Sequence, residues 1–236
     1  MTRVWHATKK LAIATILACT VSGGTMAAED NVGIWGVFTT EDAFDGVEGP
    51  SRWRYWFDAQ LRYFDIGSGI NTYQLRPGIG YTISDNMVAH AGYMYVHARN
   101  GAGRTVTEDR LWQQLTWNIA RWSHGTLSMR ARVQQRSVST GDDIGWQFQY
   151  LVKYVRPLGS TDNLDLIFSV EPFFILQDTD WGAESGLSQN RTAIGLGWKL
   201  SPSLAIETGY LNQYIFVDDA EDLVNHLGVV NVKLKF

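Results

Sequence analysis

From residue 31 onward the chain alternates apolar and polar side chains with a period of two, segment after segment. The clearest run is 52–63. Trp53, Tyr55, Phe57, Ala59, Leu61 and Tyr63 occupy its odd positions, and Arg52, Arg54, Trp56, Asp58, Gln60 and Arg62 its even ones. Successive side chains of a strand point to opposite faces, so this segment predicts a strand with one aromatic, apolar face and one charged face. Such a segment spans a bilayer when it has about 9–11 tilted residues. The same split recurs at 72–81, 110–119, 127–136, 146–154, 164–171 and 191–200. Weaker alternation marks 31–38, 87–97 and 204–214, and 225–236 completes a set of eleven candidates. No apolar run beyond residue 28 is long enough for a helical span.

In the last segment Gly228, Val230, Val232, Leu234 and Phe236 lie on one face and Asn231, Lys233 and Lys235 on the other. An aromatic carboxyl terminus on alternating apolar residues resembles the terminal strand of bacterial outer-membrane barrels. There Phe236, Leu234 and Val232 would be the assembly signal read by the barrel-assembly machinery. One internal repeat recurs at a spacing of 117 residues: 78–84 through Gly92-Tyr93 matches 195–201 through Gly209-Tyr210. Each copy reads as strand, tight turn, strand, with Ser84-Asp85-Asn86 and Ser201-Pro202-Ser203 as turns. The inward pairs Gly78/Gly80 and Gly195/Gly197 predict points where the wall bends.

Backbone groups in hydrocarbon must be paired within the protein, so this pattern predicts an all-β, closed antiparallel transmembrane barrel. Ten to twelve strands are expected, with twelve preferred: such barrels normally have an even number, and 29–51 has room for two. Short turns belong on the periplasmic side and long loops outside. Counted back from Phe236, both serine-bounded turns fall inside, and segments 100–109, 177–188 and 217–222 fall outside.

The first 28 residues stand apart. Arg3, Lys9 and Lys10 precede the apolar run 11–21, and small residues follow to Ala27-Ala28. This is the pattern of a cleaved secretory leader, 1–28, ahead of a barrel domain, 29–236. A rival reading, a lipoprotein box at Cys19, ranks second because Leu17 is unusual there and the small-residue site follows at a normal distance. Cleavage removes the only cysteine, so no disulfide is expected. It also leaves 20 − 3 = 17 basic residues against 24 acidic ones, a formal charge of −7. The acids cluster between the periodic segments, at Glu41-Asp42, Asp45, Glu48, Glu108-Asp109, Asp142-Asp143, Asp178, Asp180, Glu184 and 218–222. The arginines lie within the segments, and no basic stripe faces outward, which argues against nucleic acid. The partners expected are the bilayer, lipopolysaccharide and the assembly machinery, and the barrel is expected to be a monomer.

Several stretches together, Arg76-Pro77-Gly78-Ile79-Gly80-Tyr81, Gly92-Tyr93, Trp112-Gln113-Gln114-Leu115, Arg130 to Arg136, Gln189-Asn190-Arg191 and Gly209-Tyr210, resemble a domain-of-unknown-function family of proteobacterial outer-membrane barrels. The likeness covers nearly all of the mature chain. It implies a barrel in the bacterial outer membrane and brings no activity with it.

The lumen is where chemistry is expected. Arg54, Arg62, Arg76, Arg110, Gln114, Arg130, Arg132, Arg136, Glu171, Arg191 and Glu207 share the polar parity. Two readings follow. One is a narrow channel for small hydrophilic solutes, anions included, since charged rings set pore selectivity. The other is a structural barrel plugged by ion pairs of these arginines with Asp58, Asp165, Glu171 and Glu207, because ten to twelve strands fall between a filled and an open lumen. An alternative from another class is a surface enzyme of lipase, deacylase or protease type using a rim histidine, His97 or His226. Neither is flanked by a serine motif, and no catalytic residue is assigned. His90 matches Glu207 in the repeat and is read as a lumenal polar position. No cofactor is expected, and the acidic loops lack the spacing of a calcium loop.

Overall fold

A computed structural model describes residues 29–46, 49–64, 71–99, 103–159, 163–218 and 221–235. The leader 1–28, Glu48, residues 100–102, Asp219 and Phe236 lie outside the described residues. The alternating segments become eleven strands: β1 Glu29–Gly46, β2 Gly49–Tyr63, β3 Asn71–Ser84, β4 Met87–Arg99, β5 Thr105–Trp122, β6 Gly125–Val138, β7 Ile144–Pro157, β8 Leu164–Ile175, β9 Gly186–Ser201, β10 Leu204–Ile215 and β11 Leu223–Leu234. Each pairs with its sequence neighbours, and β1 meets β11 to close the barrel.

Eleven strands stand where twelve were preferred. Residues 29–46 run as one 18-residue strand rather than two. Glu41 does not break it, because its carboxylate turns inward onto Arg54 at 3.2 Å and His90 at 3.3 Å. An odd count closes because β1 and β11 pair in parallel, from Glu29 opposite Leu223 to Thr40 opposite Leu234. Sequential hairpins make every other pairing antiparallel. Glu108 and Asp109 likewise fall within a strand rather than a loop, since β5 begins at Thr105. The 177–188 loop is shorter than expected for the same reason: β9 begins at Gly186.

The two faces separate as the alternation predicts. Leu111 is 58 % exposed and Trp53 52 % on the outer wall, with Ile34, Ile79, Ile194 and Leu200 at or above half. Tyr63, Tyr81, Trp122 and Trp198 are exposed near strand ends, and Tyr93 and Tyr210 are exposed at mid-strand. Two-residue turns at Asp85-Asn86, Ser123-His124 and Pro202-Ser203 lie at one end. Segments 139–143 and 176–185, with residues 216–218 and 221–222, lie at the other, where β1 begins and β10 ends.

Inside, the packing is mixed rather than wholly polar. Trp35, Leu211 and Leu227 form one buried cluster and Met94, Val96 and Trp112 another. The repeat sharpens this. Gly78 faces Gly92 across one hairpin and Gly195 faces Gly209 across the other. A side chain at Gly92 would collide with the Pro77 carbonyl oxygen, and one at Gly209 with that of Ile194. The close approach is therefore across each hairpin. Trp112 fills the space above Gly78, and Gly80 makes room for the His90 ring.

Candidate functional site

All eleven lumenal candidates sit on inward faces, because each shares the parity of a buried neighbour on its own strand. They form three tiers. At mid-height Arg132 is 2 % exposed, and its Nε donates to Gln114 Oε1 at 2.8 Å. Its Nη2 donates to the same oxygen, and the guanidinium lies 5.3 Å from the Trp112 ring centre. Asp58, also 2 % exposed, accepts from Trp56 Nε1 at 2.9 Å and Gln60 Nε2 at 2.7 Å, and pairs with Arg76 Nη1 at 3.2 Å. That carboxylate is fully engaged. Arg76 turns its Nε onto the Met94 sulfur at 3.1 Å.

Toward the long loops the arginines converge on few acids. Arg110 and Arg136 face each other across the β5–β6 pair. They share Glu108, at 2.7 Å and 2.5 Å. Arg130, just on the short-turn side of Arg132 along β6, is ion-paired to Glu171, and Arg191 stands 3.9 Å from the same carboxylate. Among the described residues Arg62 has no carboxylate within ion-pair distance. Its Nη2 donates to Gln60 at 2.6 Å and Gln74 at 3.1 Å, and its guanidinium stacks 3.8 Å from the Trp35 ring centre. Toward the short turns each lumenal acid is paired. Arg54 meets Glu41, and Lys199 meets Asp165 at 3.0 Å. Glu207 receives Lys153 at 3.2 Å and Lys233 at 2.5 Å.

These contacts correct the expected pairing of arginines with Asp165 and Glu207. Both acids lie at the turn end, where the strands carry lysines. Sequence reasoning also missed Glu108 and Glu41 as lumenal acids. The signal was available, since Glu108 continues the parity of Arg110, Trp112 and Gln114, and Glu41 that of Trp35, Val37 and Thr39.

The tiers divide the lumen into two cavities. The outer, about 730 Å³, is lined by Arg62, Arg76, Arg110, Arg130, Arg132, Arg136 and Arg191. The inner, about 460 Å³, is lined by Glu41, Asp58, Lys153, Glu207 and Lys233. Gln60, Arg76 and Arg130 border both, which places the neck at these three side chains.

Two loops clasp each other over the outer cavity. Asp180 accepts from the Asp142 and Asp143 N–H groups at 2.8 and 3.1 Å, and its own N–H donates to Asp143 at 2.8 Å. Trp181 donates its indole N–H to the Asp143 carbonyl at 2.9 Å, and Arg136 lies 5.0 Å from that ring. The Asp142 and Asp143 N–H groups hold the Asp180 carboxyl below the usual carboxylate range, and the Ser185 N–H does the same for Asp178.

The rim histidines are elsewhere. His97 stacks on Tyr73 at 4.5 Å, and His226 bonds the Tyr210 hydroxyl at 2.6 Å and Asp30 at 3.3 Å. Among the described residues neither is hydrogen-bonded to a serine.

Residues 32–224 match the model of a family described as "protein of unknown function (DUF2490)". The chain belongs to this family. An uncharacterised protein of Methylorubrum extorquens is 30 % identical over 186 residues, covering 77 % of this chain and 80 % of that one. Among solved structures, the NanC porin in a rhombohedral crystal form aligns with a TM-score of 0.48 and 11 % identity, covering 82 % of this chain and 94 % of that one. All eleven lumenal candidates fall inside the span matched by the DUF2490 model, whereas Val232, Leu234 and Phe236 lie beyond it.

Proposed function

We propose that this protein is an outer-membrane barrel that passes small hydrophilic anions through an arginine-lined lumen. What carries the reading is charge. Seven arginines line the outer cavity, against three acids on the same lining, Glu171, Glu184 and Asp218, with Glu108 and Asp58 paired to lining arginines. Arginine does not deprotonate in proteins, so the excess is permanent. Rings of such charge select anions in a pore. The apolar outer wall supports a membrane setting: a soluble protein rarely exposes so continuous an apolar surface, and a closed barrel leaves no strand edge unpaired in lipid. In this reading the leader 1–28 carries the chain to the periplasm and is removed. Val232 and Leu234, with Phe236, engage the assembly machinery. Lipopolysaccharide then surrounds the finished barrel, which works as a monomer.

The test is single-channel recording of the purified protein in a planar bilayer under a potassium chloride gradient. Discrete steps with a reversal potential toward chloride are expected. Replacing the neck and mid-height cations together, Arg130→Glu and Arg132→Glu, is expected to abolish the steps or reverse their selectivity. A second reading, a closed structural barrel, is favoured by the fully buried layer of Trp112, Arg132, Met94 and Gln134. A correctly folded barrel that stays silent would select it.

A further inference from the structure

Four guanidinium Nε groups, those of Arg62, Arg110, Arg130 and Arg191, are buried and have no acceptor among the described residues. All four side chains line the outer cavity. Two of them share one aromatic shelf. The Arg62 and Arg191 guanidiniums lie 3.8 and 4.9 Å from the centre of the Trp35 ring, and Arg191 is also 4.4 Å from Phe173. Arg62 is 7 % exposed, and among the described residues its hydrogen bonds go to uncharged carboxamides. The carboxylate near Arg191 is Glu171 at 3.9 Å, already held by Arg130.

Burying a charge without a counter-charge is costly, and two like charges on one shelf repel as well. Stacking fixes each guanidinium plane and leaves the Nε–H of both groups without an acceptor among the described residues. The Arg62 Nη2 stays on Gln60 and Gln74, so two oxyanion oxygens can take one Nε–H each. A single negative charge would balance only one of the two groups.

Building on the anion-passing reading, we propose that Arg62 and Arg191, stacked on Trp35, form a saturable site for a small solute carrying two oxyanion charges, a phosphate or a dicarboxylate. The solute stops there on its way to the neck at Arg130.

The test is calorimetric titration of the purified full chain in detergent at fixed ionic strength with inorganic phosphate, succinate or acetate, so that screening is constant. One saturable site per barrel is expected, with phosphate or succinate binding at least about tenfold more tightly than acetate, the size of one charge-assisted hydrogen bond. Whichever dianion binds tighter identifies the source of the charge. Arg62→Gln and Arg191→Gln should each weaken binding about tenfold or more, whereas Arg156→Gln, exposed at the other end of the barrel, should leave it unchanged. Arg62→Lys keeps the charge and loses the fork, so an intermediate loss separates recognition from misfolding. Absence of saturable binding, or binding indifferent to both glutamine variants, overturns the site. Anion-selective steps without saturable binding would leave the passage standing and remove the site. Saturable binding to a silent barrel would do the reverse.

Discussion

The two halves of the lumen are built from the same side-chain types to different ends. In the half facing the short turns, Glu41, Asp165 and Glu207 each meet a base, and four bases (Arg54, Lys153, Lys199 and Lys233) share these three acids. In the half facing the long loops, six arginines (Arg62, Arg110, Arg130, Arg132, Arg136 and Arg191) outnumber four carboxylates, Glu108, Glu171, Glu184 and Asp218. In the short-turn half the excess is a single, partly exposed lysine that water can screen. The unbalanced half stores positive potential that the fold itself does not neutralise. Filling a lumen requires only that polar groups be satisfied. An excess of buried guanidinium charge has no such structural explanation, and the proposed function rests on that asymmetry.

Substitutions that remove charge from one half at a time break or sharpen this contrast. The largest effect is expected at Glu171, where replacement by Gln strands Arg130 and Arg191 together. Losing a buried partner costs about 3–5 kcal/mol, read as a shift in the urea midpoint of barrel unfolding in lipid. The same change at Glu207 should cost about 1–2 kcal/mol, because Lys153 and Lys233 are partly exposed and flexible enough to reach water. Arg62→Gln should cost about 1 kcal/mol or less, since removing a cation from an excess of cations relieves repulsion. If Arg62→Gln proved as damaging as Glu171→Gln, the outer half would be as balanced as the inner one.

The smallest effect concerns the clasp above the outer half. Asp178 and Asp180 have lowered pKa values when folded, so their contribution is fully present above the ordinary aspartate value of about 3.9 and lost as pH falls through the lowered folded values. Trp181 fluorescence should therefore be flat from neutral pH down to about 4 and change below it. Asp180→Asn should produce the open signal at neutral pH. A transition centred near pH 6 would point to histidine instead.

Most of the wall was legible because period two is a local property. Trp53, Leu111 and Ile194 declare their face by parity alone, and so do Arg62, Arg132 and Arg191. What was not legible depends on height and closure. Whether an inward acid meets Arg or Lys is fixed by the stagger of strands around the barrel, which put Glu207 beside Lys153 and Lys233. Glu108 hid beside Asp109, since an acidic pair reads as loop when only one of its members faces a lumen. The Trp35 shelf joins residues from β1, β2 and β9, a conjunction no single segment contains.

The parallel seam has a further geometric meaning. Strand β2 runs opposite to β1, and β1 runs with β11, so β2 and β11 are oriented to pair with each other directly. A ring of ten, wholly antiparallel and one strand narrower, is thus available to the same chain without β1. The first strand acts as a wedge: it widens the circumference and supplies Trp35 and Glu41. Excising it would leave a tighter cylinder in which Arg62 has no indole beneath it and Arg54 no carboxylate beside it.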